Sequence, residues 1–278
     1  MWTFLLILDL IALLCACFYL FSMKARRRPQ GGFYSKYALH YAHRGVHAIH
    51  AGIPENSIRA FRLAANNGYG AELDVRMSRD GNLVVMHDES LKRTTGANAN
   101  VSAVTAQVLS QLTLEGTREK VPFLEDVLPL FNGKTPLLIE LKPENGNHDL
   151  LTKKVTDLLN TYPDLNFMIE SFDPRVLRWL RKHRPDVIRG QLSENFFRDE
   201  DCSLNWFLRF LMTNLMCNFL TKPDFIAYKY EDRDGLGPAL CRKIWGPQFF
   251  WCVVRSQEDA NPLIREKDII IFEGFAAK

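Results

Sequence analysis

"AELDVRMSRDGNLVVMHDES", residues 71–90, decides how this chain is read. It opens as a buried strand, yet two acids, Glu72 and Asp74, share one face of it, because side chains alternate along a strand. Asp80-Gly81 is a tight-turn signal, and a second apolar run follows, ending in His87 and Asp88. A turn this short cannot deliver a parallel neighbour, which needs a crossover of a dozen or more residues. "LVVMHD" is therefore expected as an antiparallel arm folded back on the strand. A two-residue type I′ loop at Asp80-Gly81 pairs Arg79 with Asn82 and sets Asp74 opposite His87. Side chains of directly opposed residues lie on one face. The stretch thus predicts a strand end carrying two carboxylates and an arm that brings an imidazole to them.

Outward from this stretch, short apolar β-type runs alternate with helical ones. The strand candidates are "ALHYAHRG", "AELDV", "PLLIELK", "NFMIESF", "VIRGQL", "FIAYKY", "FFWCVV" and "DIIIFE". Between them lie helical stretches such as "NSIRAFRLAANNG" and "PFLEDVLPLF". Another opens at "DPRVLRWL", with Asp173 as cap and Pro174 at its first position. Near-continuous apolar strands alternating with helices argue for a buried parallel sheet. Eight of them over residues 38–278 predict an α/β fold, a TIM (β/α)8 barrel with a hairpin insertion after strand 2. The alternative is a doubly wound open sheet.

The amino terminus obeys a different solvent. "MWTFLLILDLIALLCACFYLFSM", residues 1–23, is apolar apart from Asp9 and a few small polar groups. As a helix it rises about 33 Å, enough for a hydrocarbon core of about 30 Å. It has no basic leading region and no clear cleavage site, so an uncleaved transmembrane anchor is expected rather than a signal peptide. "KARRR" follows directly, within a basic linker at residues 24–37, and no Lys or Arg precedes the span. The positive-inside rule then predicts a single-pass membrane protein with residues 38–278 on the cytoplasmic side. Six cysteines without a paired CxxC spacing favour free thiols over a structural zinc site.

The full chain of 278 residues is 47% hydrophobic and 24% charged, an ordinary globular balance, with formal charge +3. Four cations cluster at Lys24, Arg26, Arg27 and Arg28. No basic patch with interleaved aromatics and no zinc-finger or helix-turn-helix signature is present, so nucleic acid is not an expected partner.

Barrel active sites gather at the C-terminal ends of the strands. "HYAHRG" places His43 and Arg44 there, and "IELK" repeats the paired spacing with Glu140 and Lys142. Any one of these pairs reads equally well as a structural salt bridge. Three acids converging on one barrel end, however, are costly unless paired or bound to a cation. Hard oxygen ligands favour Mg²⁺ or Ca²⁺. Two histidines suit general acid and base work, and Arg and Lys suit a phosphate. The set points to phosphoryl transfer.

Taken in order, "AHRG", "PENSIRAF", "AELDVRMSRDGNLVVMHDESLKRTT" and "IELK" resemble the glycerophosphodiester phosphodiesterase family. The resemblance implies a metal-dependent barrel enzyme that cleaves glycerophosphodiesters to glycerol 3-phosphate and an alcohol. It implies His43 and His87 as acid and base, and Glu72, Asp74 and Glu140 as ligands of the divalent ion. Arg44 and Lys142 would contact phosphate, Trp251 would pack on the substrate's glycerol, and Glu55 and Asn56 of "PEN" would support the site. Two departures bear on the far wall of the pocket. The family's Trp-Thr-Val-Asn reads "WCVVRS" here, with Arg255 for Asn, and its Thr-Asp-x-Pro reads "FEGF".

The substrate expected is a small glycerophosphodiester or a lysophospholipid. A lysophospholipase-D or sphingomyelinase-D-like phosphodiesterase is the alternative enzyme, and a silent anchored binding module the alternative of another class. "LNWFLRFLMTNLMCNFLTKP", residues 204–223, is richer in Trp, Phe, Leu and Met than an outer barrel helix needs. It reads as an extra packed helix or as one lying on the membrane beside the anchor.

Overall fold

The computed structural model describes residues 2–28, 31–200 and 202–278. Met1 of the expected anchor and Pro29 and Gln30 of the expected linker lie outside the described residues. Among the described residues nine strands form one sheet: β1 (Tyr41–Ala42), β2 (Gly70–Met77), β3 (Leu83–Val85), β4 (Leu137–Leu141), β5 (Phe167–Ser171), β6 (Arg189–Ser193), β7 (Phe225–Lys229), β8 (Gln248–Val254) and β9 (Ile269–Phe272). All but β3 run parallel, and β1 pairs with both β2 and β9, so eight strands close into a barrel. The open-sheet alternative is excluded by that closure.

Alternation along the strands separates two layers. Leu73, Val75, Ile139, Leu141 and Ile169 face outward and pack under helices, with Phe61 and Ala64 of the helix Ile58–Asn66 and Leu177 and Leu180 of the helix Pro174–His183. Ser57 caps the first of these helices by accepting from Ala60 N–H at 3.1 Å. Asp173 caps the second, accepting from Arg175 N–H at 2.8 Å with Pro174 in the first turn. Facing inward are Tyr41, Leu138, Met168, Phe225, Phe250 and Ile271. They fill the lower barrel, where Phe225 and Phe250 stack with centroids 4.3 Å apart. The same inward face, one layer higher, carries the acids of β2, β4 and β5.

The stretch expected to be a basic linker is packed against the barrel. Residues Gly32–Tyr37 form a short helix whose Phe33 is 8% exposed and joins the inner core from below. Burying a Phe side chain contributes about 1.5–3 kcal/mol, so this plug is held firmly. Arg26 pairs with Asp224 and Arg28 with Asp268, each at 2.7 Å. The apolar helix itself runs Trp2–Ser22 and is bare of protein along most of its length.

The arm is present but its turn differs from expectation. Ser78 N–H donates to Asn82 O at 2.9 Å, leaving Arg79, Asp80 and Gly81 as a three-residue loop. Of these only Gly81 has a left-handed φ, +82°. A type I′ turn needs positive φ at both central residues, whereas a type I turn closed by a left-handed glycine makes a three-residue loop. The register becomes Val75↔Val85, Arg76↔Val84 and Met77↔Leu83. Met86, not His87, therefore follows opposite Asp74, and its N–H donates to Asp74 O at 3.0 Å. The expected Asp74–His87 pair is displaced by one residue. Beyond the arm, Val84, Met86, Leu91, Val101, Leu109 and Val121 form a small core of their own, which fixes the insertion on the barrel rim.

Residues 204–223 form two short helices, Trp206–Thr213 and Asn218–Thr221, rather than one. The chain breaks between them at Leu215, with φ +57°.

Candidate active site

The chain leaves β1 through a sharp turn, with φ +53° at Arg44 and +79° at Gly45. A Cβ on Gly45 would lie 2.8 Å from the backbone of Ala60, so only glycine lets the loop sit against that helix. The turn points His43 and Arg44 into a cavity of about 490 Å³ at the C-terminal end of the barrel. Glu72, His87, Glu140 and Lys142 line the same cavity.

Strand pairing explains how the acids meet. β2 and β4 are in register with Asp74 beside Glu140. Glu72 lies two residues below Asp74 on the same face. Oxygens of Glu72, Asp74 and Glu140 lie within 4.8 Å of one another, and all three residues are buried. Each is held from outside: Arg44 N–H donates to Glu72 Oε2 at 3.0 Å, Asn56 Nδ2 to Asp74 Oδ2 at 2.8 Å, and Lys142 Nζ to Glu140 Oε1 at 2.8 Å. Lys142 Nζ is also 3.2 Å from Asp74 Oδ1, and Arg44 Nε is 3.6 Å from Asp74 Oδ2.

Burial, then repulsion by Asp74, Glu140 and Glu170, raises Glu72 well above the usual carboxyl range. Asp74 feels the same burial, but Lys142, His87, Arg44 and the Asn56 bond outweigh it and hold Asp74 well below that range. Burial raises Glu140, with Lys142 offsetting part of the rise. Three converging carboxylates are thus under-neutralised by one ammonium and one guanidinium. The donors are all oxygen, which fits a hard divalent cation held by Glu72, Asp74 and Glu140.

Both histidines are gripped at Nδ1. His43 Nδ1 is 2.6 Å from Glu273 Oε2, and its Nε2 is 4.0 Å from Glu72 Oε2, on the acid side of the cavity. Burial holds His43 below the usual imidazole range, with the Glu273 bond offsetting part of the effect. The same bond holds Glu273 down at about 2. His87 Nδ1 is 2.7 Å from Asp88 Oδ1. Asp88 accepts from Arg93 Nε at 2.5 Å, Arg93 Nη2 donates to Glu55 Oε1 at 2.7 Å, and Glu55 Oε1 accepts from Arg44 Nη1 at 2.9 Å. A continuous chain of charged bonds therefore ties the arm that carries His87 to the turn that carries His43.

Of the expected site residues, His43, Arg44, Glu72, His87, Glu140 and Lys142 line the cavity, Asp74 and Asn56 lie directly behind its acids, and Glu55 braces Arg44. Trp251 is the exception. Alternation on β8 turns Phe250 and Cys252 inward, so Trp251 faces the outer helical layer. There its Nε1 donates to buried Asp268 Oδ2 at 2.7 Å and the Arg242 guanidinium lies 5.5 Å from its ring. It does not reach the cavity. Three residues were missed: Glu273, Asp88 and Glu170. Glu273 directly follows β9, where the acid in "FEGF" was the available signal. Glu170 sits beside Glu140 on β5, 1% exposed, with Oε2 unbonded and the residue lining the cavity.

A model described as the glycerophosphoryl diester phosphodiesterase family matches residues 43–225. A glycerophosphodiester phosphodiesterase of Caldanaerobacter subterraneus subsp. tengcongensis is 32% identical over 160 residues, 54% of this chain and 65% of that protein. The human lysophospholipase D GDPD1 is 34% identical over 149 residues, 49% of this chain and 44% of that protein. The chain thus spans less than two thirds of the length of these curated relatives. An Oleispira antarctica phosphodiesterase solved with the product sn-glycerol-3-phosphate superposes with TM-score 0.67 at 22% identity, over 84% of this chain and 92% of that one. A Thermotoga maritima glycerophosphodiester phosphodiesterase gives 0.63 at 24%, over 84% and 93%. At these identities the likeness is one of fold.

Proposed function

This chain belongs to the glycerophosphoryl diester phosphodiesterase family, and from that premise we propose that its barrel hydrolyses glycerophosphodiesters to glycerol 3-phosphate and an alcohol. The observation that carries the reading is the pair of histidines held at Nδ1 by carboxylates on either side of a buried three-acid cluster.

His43 is the base. Burial favours a neutral ring, and the Glu273 bond fixes its tautomer, with Nδ1–H donating to Glu273 and the Nε2 lone pair free to take a proton from the attacking water. His87, at the more open side of the cavity with its side chain 35% exposed, gives a proton to the leaving alkoxide. Lys142 and Arg44 attract the phosphate and offset the charge that builds on its oxygens. A Mg²⁺ or Ca²⁺ ion held by Glu72, Asp74 and Glu140 would add Lewis-acid polarisation of the phosphoryl oxygen. Release of glycerol 3-phosphate from a panel of glycerophosphodiesters by the purified chain tests this reading. A complete lack of product across the panel overturns it.

A lysophospholipid is the second substrate class. It is favoured by the apolar side chains Phe172, Leu192 and Ile271 in the cavity lining, and by the 34% likeness to a lysophospholipase D. The helix Trp2–Ser22 is read as a single-pass anchor, with Lys24 to Arg28 favouring a cytoplasmic barrel.

A further inference from the structure

The helix Trp206–Thr213 is built inside out for an outer barrel helix. Its only buried residue is Met212, while Trp206 is 67% exposed, Phe207 59% and Leu208 40%. Phe197, at 44%, extends the patch, with its ring 6.2 Å from that of Trp206. Trp206 in turn stacks on Phe210 at 5.7 Å and 5°. Single exposed apolar residues are ordinary, but a contiguous aromatic patch marks an interaction surface.

Two neighbours identify the partner. The first is the apolar helix Trp2–Ser22, whose last turns dock beside this patch. Tyr19 Oη donates to Asn214 Oδ1 at 2.6 Å, its ring lies 6.3 Å from Phe210, and Phe18 and Phe21 meet Phe219 at 6.4 and 6.1 Å. Trp245 Nε1 bonds Leu20 O at 2.9 Å. The bare part of the helix therefore ends where the patch begins. The second neighbour is a cationic cluster of Lys24, Arg26, Arg181 and Lys222. Burial first, and then the proximity of Lys24, Arg181 and Arg26, depresses Lys222. Arg26 is partnered by Asp224, but among the described residues Arg181 meets only backbone carbonyls, at Leu220 and Phe219. Aromatic rings beside cations at the end of an apolar span are the composition of a membrane-water interface.

The patch also adjoins the cavity. Phe196, next to Phe197, packs edge-on against Phe172 at 5.9 Å, and Phe172, Ser193 and Glu194 line the cavity. We propose that Phe197, Trp206, Phe207 and Leu208 lie within the interfacial layer of an anionic phospholipid bilayer and hold this rim of the cavity against it, so that lysolipids enter directly from the membrane. This rests on the phosphodiesterase reading for its substrate and on the anchor reading for its geometry.

The test uses the full chain reconstituted in phosphatidylcholine–phosphatidylglycerol vesicles, with and without lipids brominated on the upper acyl chain. The difference in emission between wild type and Trp206→Phe reports the one indole. Quenching of that difference signal by at least half in brominated vesicles is expected. An unquenched difference signal overturns the proposal, as does cross-linking of this face to a second copy of the chain with no quenching. A Trp206→Glu/Phe207→Glu variant is expected to lose about tenfold in turnover of lysophosphatidylglycerol in vesicles while keeping turnover of soluble glycerophosphocholine within twofold. Equal retention of both activities contradicts direct entry from the membrane. If wild type turns over neither substrate, the enzymatic reading fails, and the quenching measurement still decides whether the face is in the bilayer.

Discussion

Glu273 Oε2 lies 2.6 Å from His43 Nδ1, joining the C-terminal ends of β9 and β1, the two strands whose pairing helps to close the barrel. The contact fixes which nitrogen of the imidazole faces the acid cluster. Glu273→Gln should lower kcat by about 10²-fold, the scale of a positioned general base, and leave KM within about threefold. Loss of KM with kcat intact would assign Glu273 to substrate binding instead.

The same residue gives a pH signature. Its carboxyl is held at about 2 against an ordinary 4.5, chiefly by the His43 bond. A depressed carboxyl stabilises the fold fully above its unfolded value and loses that contribution as pH falls through the folded one. Thermal melts of the detergent-solubilised protein should therefore decline between about pH 4.5 and 2. Glu273→Gln should show a shallower decline, and an identical slope would remove the carboxylate from the account.

The acid cluster predicts a stability effect of cation binding that needs no substrate. A ligand at a hundredfold excess over its Kd stabilises by about 2.7 kcal/mol. Ca²⁺ or Mg²⁺ should raise the melting temperature, EDTA should reverse the rise, and Glu140→Ala should abolish it. A rise that survives Glu140→Ala would move the cation elsewhere.

Arg93 bridges Asp88 and Glu55 from a half-exposed position, its side chain 47% accessible. Exposed ion pairs are worth about 0–1 kcal/mol, so Arg93→Ala should barely change the melting temperature. Because it frees the side chains that brace both His87 and Arg44, it should nonetheless lower kcat/KM by about tenfold. A large loss of stability with proportionate loss of activity would make the bridge merely structural.

Trp251 gives the opposite test. It packs outside the barrel wall with Nε1 on Asp268. Trp251→Phe should cost about 1 kcal/mol, because buried Asp268 Oδ2 loses one donor and keeps Arg242, yet leave KM within about twofold. A several-fold rise in KM would return it to the substrate site.

The barrel was legible because its signal is periodic. Eight apolar runs with helices between them narrow the topology to a closed barrel or a doubly wound open sheet, and the doubled spacing of Glu72 and Asp74 puts both acids on one strand face. The arm was legible as a fold-back but not in register. Asp-Gly permits either a two-residue or a three-residue loop, and Gly81 alone carries the left-handed φ of the longer one. Trp251 was misread for a related reason: strand alternation, not motif position, decides which face a side chain takes. Asp88 stands next to His87 in the chain, but adjacency alone does not show that its carboxylate turns back onto Nδ1; Glu273 escaped because its bond to His43 Nδ1 leaves no spacing in the chain. The Glu273 contact joins residues 230 positions apart.

The central claim is that His43, held by Glu273 beside a cation-binding acid cluster, drives phosphodiester hydrolysis. Its most direct test is release of glycerol 3-phosphate from glycerophosphocholine by the full-length protein with Ca²⁺ or Mg²⁺, set against EDTA and His43→Ala. The account predicts product that requires the cation and falls by at least about 10²-fold in the variant. Product formation that survives both EDTA and His43→Ala would contradict it.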